Sequence, residues 1–332
     1  MYLCKTMKKP LVSILIPARD EEDNLPYLFH SLDQLQYPKE AYEILLGNDQ
    51  STDRTAELMD TYAKHRPNVK VRHVREEAGK LRGKTRVLEV LASEAKGEYL
   101  FFTDADMELP PYWISGLLKN FQGNTGVVVG VTTVKRDSFW GLMQGMEWLM
   151  ALTLFYLVSL LRIPVTGMGN NMAVSRKAYD AIGGYKKIGF SIVEDYLLYA
   201  HIIKAGFGFV QAFEADVLAW TKPAENYWKQ RKRWLKGAIE NAPGTVFWGF
   251  LQAMSLPLFT VLGIYSSSTL IIALCLLFLF HFFIILFYQK KLKLRGYVLY
   301  LPLFFIYLSV AWLLQFLYYL FQRETDWKDR KY

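Results

Sequence analysis

The stretch from Val246 to Phe321 is almost entirely apolar and aromatic, and a run of that length belongs in lipid. Between Val246 and Tyr288 the strongly polar interruptions are Gln252, Ser266 to Ser268 and His281. That length is about twice what one helix needs to cross a bilayer, so two spans are expected, at 246–264 and 267–288. A basic segment, Lys290-Lys291-Leu292-Lys293-Leu294-Arg295-Gly296, separates them from a third at 297–321. Basic loops stay on the cytoplasmic side, which would leave the tail, 322–332, outside. The formal charge of +8 would suit nucleic acid or an anionic membrane surface. With a membrane segment in the same chain the second is expected, with membrane lipids as partners and no nucleic acid.

The first two-thirds of the chain reads differently, mixing charges, glycines and short apolar runs. After a tail at 1–10, Leu11 to Ile16 is shorter than a secretory apolar core, and Arg19-Asp20-Glu21-Glu22 follow at once. No signal peptide is read, so the globular part is expected in the cytoplasm, with a bacterial inner membrane as the expected setting. Cys4 and Cys275 are not expected to pair and lack metal-ligand spacing. Strands are expected at 11–16, 42–46 and 69–74, with helices over 25–35, 55–64 and 84–94. Alternation of this kind is the signature of a parallel sheet covered by helices.

Tyr99-Leu100-Phe101-Phe102-Thr103-Asp104-Ala105-Asp106 is a buried-strand pattern that ends in two carboxylates one residue apart. In open α/β sheets ligands bind at that edge. Asp104 and Asp106 there can offer oxygen ligands to a hard divalent cation, Mg²⁺ or Mn²⁺; the competing reading is two solvated acids in a turn. Lys84 can meet phosphate oxygens as a point charge, or belong to a basic solvated loop with Lys80 and Arg82. Glu194 and Asp195 open an amphipathic helix that runs to Ala205 and is closed by Gly206. Gln230, Arg233 and Trp234, three and four residues apart, share one helical face. They offer an amide, a guanidinium able to bind diphosphate and an indole able to stack on a ring. The rival is an interfacial helix whose Lys229, Arg231, Lys232, Arg233 and Lys236 touch anionic lipid.

Ile16-Pro17-Ala18-Arg19-Asp20-Glu21-Glu22, Asn48-Asp49-Gln50-Ser51-Thr52-Asp53, Gly83-Lys84 and Asp104-Ala105-Asp106 resemble the successive nucleotide-sugar motifs of family-2 inverting glycosyltransferases of the GT-A fold. Thr166-Gly167-Met168-Gly169-Asn170-Asn171 with Gly183-Gly184-Tyr185 looks like that family's acceptor-side loop, Glu194-Asp195 like its acidic pair, and Gln230-Arg231-Lys232-Arg233-Trp234 like the Gln-x-x-Arg-Trp motif of its membrane-bound members. The resemblance covers about residues 10–236 and, with six motifs in order, is specific. It implies a nucleotide pocket lined by Ala18, Glu21 and Asp49, with Asp49 on the base, Lys84 on phosphate, and Asp104 on the ribose or the metal. It implies a metal at Asp104 and Asp106, a general base at Asp195, and acceptor or diphosphate contacts from Gly169, Asn170, Glu194, Gln230, Arg233 and Trp234. Asn48 and Gln50 depart from the Asp and Gly that often stand there.

The expected architecture is an α/β, Rossmann-like GT-A domain over 11–240 followed by a bundle of about three transmembrane helices over 246–321. Residues 139–161 are apolar enough to span, yet a span would part the acids at 104–106 from Asp195. They are therefore read, like 226–240, as an interfacial helix of the first domain. The expected activity is transfer of a sugar from a nucleotide-diphosphate donor, UDP favoured over GDP, to a lipid or lipid-linked glycan at the cytoplasmic leaflet. A subunit of a processive polysaccharide synthase, with an oligomer or translocation partner, is the alternative among enzymes. A non-catalytic nucleotide-sugar-binding scaffold is the alternative outside them.

Overall fold

The computed structural model describes residues 11–75, 81–191, 193–241, 243–321, 326–327 and 330–331. Lys80 and the tail at 1–10 lie outside the described residues. The chain divides into two compact units, Met1–Thr132 with Ser159–Thr221, and Thr133–Val158 with Lys222–Tyr332.

Unit one is built on a seven-stranded sheet. Its elements in order are β1 (Val12–Ala18), α1 (Leu25–Asp33), β2 (Tyr42–Asn48), α2 (Thr55–Ala63), β3 (Val69–His73), α3 (Gly83–Glu94), β4 (Tyr99–Phe102), β5 (Met107–Glu108), α4 (Trp113–Leu118) and β6 (Thr125–Val129). After β7 (Val131–Val134) and α5 (Phe139–Ser159), it resumes with β8 (Met172–Ser175), α6 (Arg176–Ala181), α7 (Gly184–Ile188), α8 (Glu194–Lys204), β9 (Gly208–Gln211) and β10 (Leu218–Thr221). Strand order is β3-β2-β1-β4-β8-β6-β9. All neighbours run parallel except β8, which is antiparallel to both β4 and β6. The expected parallel half is there, and a mixed half extends it.

Every residue of β1 and β2 is buried, the pattern of strands covered on both faces. β1 runs two residues beyond its expected end, carrying Pro17 opposite Gly47 and Ala18 opposite Asn48. α1 opens at Asn24 with a proline in its first turn, where the missing N–H costs nothing. Beneath α3, Gly47 is forced: a Cβ there would fall inside contact distance of the Val87 and Leu91 side chains. The chain ends of β1, β2 and β4 thus come to one edge of the sheet, and the loops that leave them carry the polar motifs.

Unit two contains α5, α9 (Tyr227–Asn241), α10 (Pro243–Tyr265), α11 (Ser267–Lys291) and α12 (Leu301–Phe321). The sequence reading gave 139–161 and 226–240 to the first domain; by contact both helices belong with the C-terminal helices. Among the described residues three helices are long and apolar enough to cross a membrane: α5, α11, and 297–321 through α12. Their surroundings differ, since 67% of the most apolar stretch of α5 is buried in protein against 17% for α11. α11 turns most of its surface outward, as a lipid-facing helix does. The expected span at 246–264 falls on α10, whose described apolar part is Ala253–Tyr265.

Candidate active site

The edge where β1 and β2 end is tied together by backbone and side chain. Asp49 N–H donates to the carbonyl of Ala18 at 2.8 Å, setting the two residues side by side, and both are buried. Asn48, which departs from the expected Asp, accepts from Ser51 N–H at 3.0 Å and contacts His73, so the amide serves the turn. Gln50 adopts φ 55°, a left-handed conformation that glycine takes freely and an L side chain at a cost of about 1 kcal/mol. Glu21 accepts from the Asn24 side chain at 2.6 Å. Asp53, one residue ahead of the Arg54 that opens α2, receives Thr55 N–H at 2.9 Å and Glu22 N–H at 3.0 Å and so holds the two loops together.

Past β4, Asp104 and Lys84 meet: the ammonium of α3 lies 2.7 Å from Asp104 Oδ1 and 2.9 Å from Glu194 Oε1. One lysine therefore bridges the acid at the end of β4 and the acid at the start of α8. Burial works against the Lys84 cation, but Asp104, Glu194 and Asp195 outweigh it and hold its pKa well above that of an ordinary lysine. Glu194 is buried, and loss of water, reinforced by Asp195 and opposed by Lys84, raises its carboxyl. Asp106 lies on the solvent-accessible side of the cluster and takes a hydrogen bond from the Thr221 hydroxyl at 3.0 Å. Loss of water around the carboxyl, then the charges of Asp104 and Glu21, push it up to about 6.

Asp195 is held by the loop that precedes β8. Gly169 N–H donates to its Oδ2 at 2.7 Å, and Tyr196 N–H to Oδ1 at 2.8 Å. This approach needs glycine: a Cβ on residue 169 would sit 2.9 Å from Asp195 Cβ, and one on Gly167 would sit 2.7 Å from Asp195 O. Next to them Asn170 Oδ1 accepts from Thr132 at 3.3 Å. Asn171 has a structural task. Fully buried, it receives the Trp113 indole N–H at 2.9 Å and donates to the carbonyls of Val131 and Val217, both at 2.9 Å.

These contacts bring Lys84, Asp104, Glu194, Asp195 and Gly169 into one cluster, with Asp106 coupled to it through Asp104. Ala18, Asp49 and Glu21 form the neighbouring edge. Among the described residues no group of three His, Cys, Asp or Glu side chains stands ready as a metal cage. Two carboxylates repelling each other at a strand end, one with its proton affinity raised, nevertheless fit a hard cation that completes its shell with phosphate and water. Thr221 was not legible as a site residue, because a threonine 115 positions from Asp106 carries no local signal.

Gln230, Arg233 and Trp234 belong to unit two, on α9. The Trp234 ring packs on Trp148 at a centroid distance of 5.0 Å and under the Arg231 guanidinium at 4.4 Å. Arg231 and Lys232, which the rival reading of this helix would turn toward lipid, are buried at 4% and 5% exposure. Arg231 instead pairs with Glu147 of α5 at 2.8 Å, a partner that sequence alone could not supply.

The chain is 28% identical over 242 residues to the beta-monoglucosyldiacylglycerol synthase of Synechocystis sp., covering 71% of this chain and 49% of that protein. It is 26% identical over 250 residues to the probable glycosyltransferase YdaM of Bacillus subtilis, covering 69% and 55%. The chain thus spans about half the length of the curated relatives it matches. Among solved structures, a mannosyltransferase from Pyrobaculum calidifontis in complex with GDP-Man and Mn²⁺ superposes with a TM-score of 0.56 at 18% identity, over 89% of this chain and 87% of that one. The fold is GT-A. The motifs resemble those of family 2, whereas the family whose model matches is numbered 21; the common ground is a GT-A glycosyltransferase. That match runs over residues 4–332, and the chain belongs to glycosyl transferase family 21.

Proposed function

We propose that this glycosyltransferase is a membrane-anchored, metal-dependent, inverting enzyme that moves a sugar from a nucleoside-diphosphate donor to a lipid at the cytoplasmic leaflet. The observation that carries the reading is the convergence of Lys84, Asp104, Glu194 and Asp195 on one another, with Gly169 N–H 2.7 Å from the carboxylate of Asp195. A lipid acceptor is supported by the membrane-length helices and by the name of the Synechocystis relative.

In this mechanism Ala18, Glu21 and Asp49 line the nucleotide, with Asp49 on the base. Asp104 and Asp106 would hold a divalent ion, Mg²⁺ or Mn²⁺, whose chemistry there would be Lewis-acid neutralisation of the departing diphosphate. Lys84 offers a second positive charge there. Asp195 takes the proton from the acceptor hydroxyl, whose oxygen attacks the anomeric carbon opposite the leaving group and inverts it. Gly169 N–H on Oδ2 and Tyr196 N–H on Oδ1 hold the carboxylate plane of Asp195, and each oxygen keeps a lone pair that can take the acceptor's proton. Asn170 and Glu194 border the acceptor, and Gln230, Arg233 and Trp234 contribute acceptor and diphosphate contacts.

The test is a panel of UDP- and GDP-sugars offered to the purified protein with dioleoylglycerol in mixed micelles. The expected result is nucleoside diphosphate released only with Mg²⁺ or Mn²⁺, and a glycolipid of the expected mass with inverted anomeric configuration. A retained configuration, or full transfer in chelator, would overturn the mechanism.

A further inference from the structure

α5 is a 21-residue apolar helix with one acid in it, and that acid is buried: Glu147 is 6% exposed. A carboxylate taken out of water costs several kcal/mol unless it is paired and hydrogen-bonded. Glu147 is both. Three donors converge on its Oε2: Arg231 Nη2 at 2.8 Å, and the hydroxyls of Tyr227 and Tyr307 at 3.2 Å each. Arg231, from the other end, is sandwiched by aromatic faces, its guanidinium 4.4 Å from the Trp234 ring, 5.0 Å from Tyr227 and 5.9 Å from Trp148. A guanidinium stacked and salt-bridged in this way is spent on protein contacts. It lies in the middle of the Gln-x-x-Arg-Trp stretch, yet its surroundings are those of a post. The same helix is anchored a second time where Gln144 Oε1 receives Ala224 N–H at 3.2 Å, just ahead of α9. Gly145 lets α5 come close to the strand before it, since a Cβ there would lie 2.9 Å from the Val134 carbonyl.

We propose that Glu147 is a positioning residue for the acceptor face of α9: through Arg231 it fixes the plane of the Trp234 indole on which the acceptor headgroup stacks. The proposal rests on the reading of Gln230, Arg233 and Trp234 given above. It assigns Arg231 to protein packing and leaves ligand contact to its neighbours. The chain of contacts is short. The carboxylate sets the guanidinium, the guanidinium covers one side of the indole, and Trp148, the residue after Glu147, packs on the same ring.

The experiment uses the full chain labelled with 5-fluorotryptophan, with the Trp234 resonance assigned by its loss in Trp234→Phe. In Glu147→Gln and in Arg231→Lys the ¹⁹F signal of Trp234 should shift or broaden. With UDP-glucose and dioleoylglycerol as probes, kcat/KM toward the lipid should fall about ten- to hundredfold while the donor KM stays within about threefold. Arg231→Lys keeps the charge and loses the stacking plane, so it reads the proposal even if Glu147→Gln does not fold. A Trp234 signal and a lipid kcat/KM unchanged in both variants, in a protein where Trp234→Ala impairs lipid use, would overturn the role of Glu147 alone. Lipid use unaffected by Trp234→Ala would overturn the acceptor assignment of α9, and the role of Glu147 with it.

Discussion

Lys84 in unit one and Arg231 in unit two are both cations set among acids and aromatic residues, but their charge balance is opposite. Lys84 bridges Asp104 and Glu194, with Asp195 and Asp106 close enough to act on its charge or feel it. Arg231 faces Glu147, and two tyrosine hydroxyls complete that carboxylate. Among the described ion pairs the first cluster therefore keeps surplus negative charge, with Asp106 exposed, while in the second one guanidinium meets one carboxylate and both are buried. A cluster short of positive charge is poised to take up a cation and to accept a proton; a balanced one holds helices in place. The difference separates a site from a scaffold without appeal to either motif.

The largest effect is expected from removing the carboxylate proposed as the proton acceptor while leaving the rest of the charge cluster in place. Asp195→Asn keeps the size and, with its amide oxygen toward Gly169 N–H, one of the two backbone bonds while giving up that from Tyr196 N–H, and it should cut turnover by about a hundredfold to ten-thousandfold with nucleotide binding retained. Glu194→Gln should act instead on binding and stability, because Glu194 is the acid already paired with Lys84. Turnover at saturating donor and acceptor decides: a dead Glu194→Gln beside a normal Asp195→Asn would exchange their roles. Gly169→Ala should lower turnover in the same direction by less, since its Cβ presses on Asp195 Cβ.

Lys84→Gln tests the surplus directly. Breaking a largely buried ion pair by removing one partner costs about 3 kcal/mol, because the other charges are left uncompensated. The variant should melt well below the parent without metal. Addition of Mn²⁺ should raise its midpoint by more than it raises the parent's, because the ion replaces the missing cation. Equal shifts in the two proteins would show that Lys84 and the ion do not share the same acids.

Much of unit one was legible because its signals are local. The apolar runs at β1, β2 and β4 and the acids that follow β4 are visible within a few residues, whereas the closeness of Gly167 and Gly169 to Asp195, 26 and more positions on, is not. β8 was missed as a strand because Met172–Ser175 is four residues long and its partners, β4 and β6, lie far away in sequence. Helix α5 was legible as a helix but not in its allegiance. A single glutamate in an apolar run reads equally as an interfacial face or as a buried pair, and only Arg231, 84 positions on, decides between them. The tyrosine at 307 is further still, 160 positions from the acid it serves.

Acidity gives a smaller effect with a definite sign. Asp106 sits at about 6, above the 3.8 of an unperturbed aspartate. Below about pH 6 its carboxyl carries a proton that a metal must displace, so Mn²⁺ affinity should be flat above about pH 7 and fall toward a tenfold loss per unit below it. In the metal-free protein the sign reverses. Protonation relieves the repulsion from Asp104 and Glu21, so this group favours the fold as pH drops from about 6 toward about 4. Manganese titrations followed by electron paramagnetic resonance at pH 7.5, 6 and 5 check the first part. Affinity unchanged down to pH 5 would remove Asp106 from the ligand set.

The smallest effect is expected where the balance is complete. Removing Glu147 alone strands Arg231 in an aromatic cage, and single losses of this kind cost about 3 to 5 kcal/mol. Removing both charges leaves nothing to compensate, and buried pairs exchanged for apolar residues of similar volume are often neutral in stability. Glu147→Met combined with Arg231→Met should therefore melt within about 1 kcal/mol of the parent, helped by Tyr227 and Tyr307, whose hydroxyls already lie 3.4 Å apart and can bond to each other. No such rescue is open to the Lys84 cluster, where deleting the cation leaves several acids. Thermal midpoints in detergent for the two single variants and the double variant settle the point. If the double variant is as unstable as the sum of the singles, the pair is not a self-contained unit, and the contrast between a balanced scaffold and an unbalanced site loses its second half.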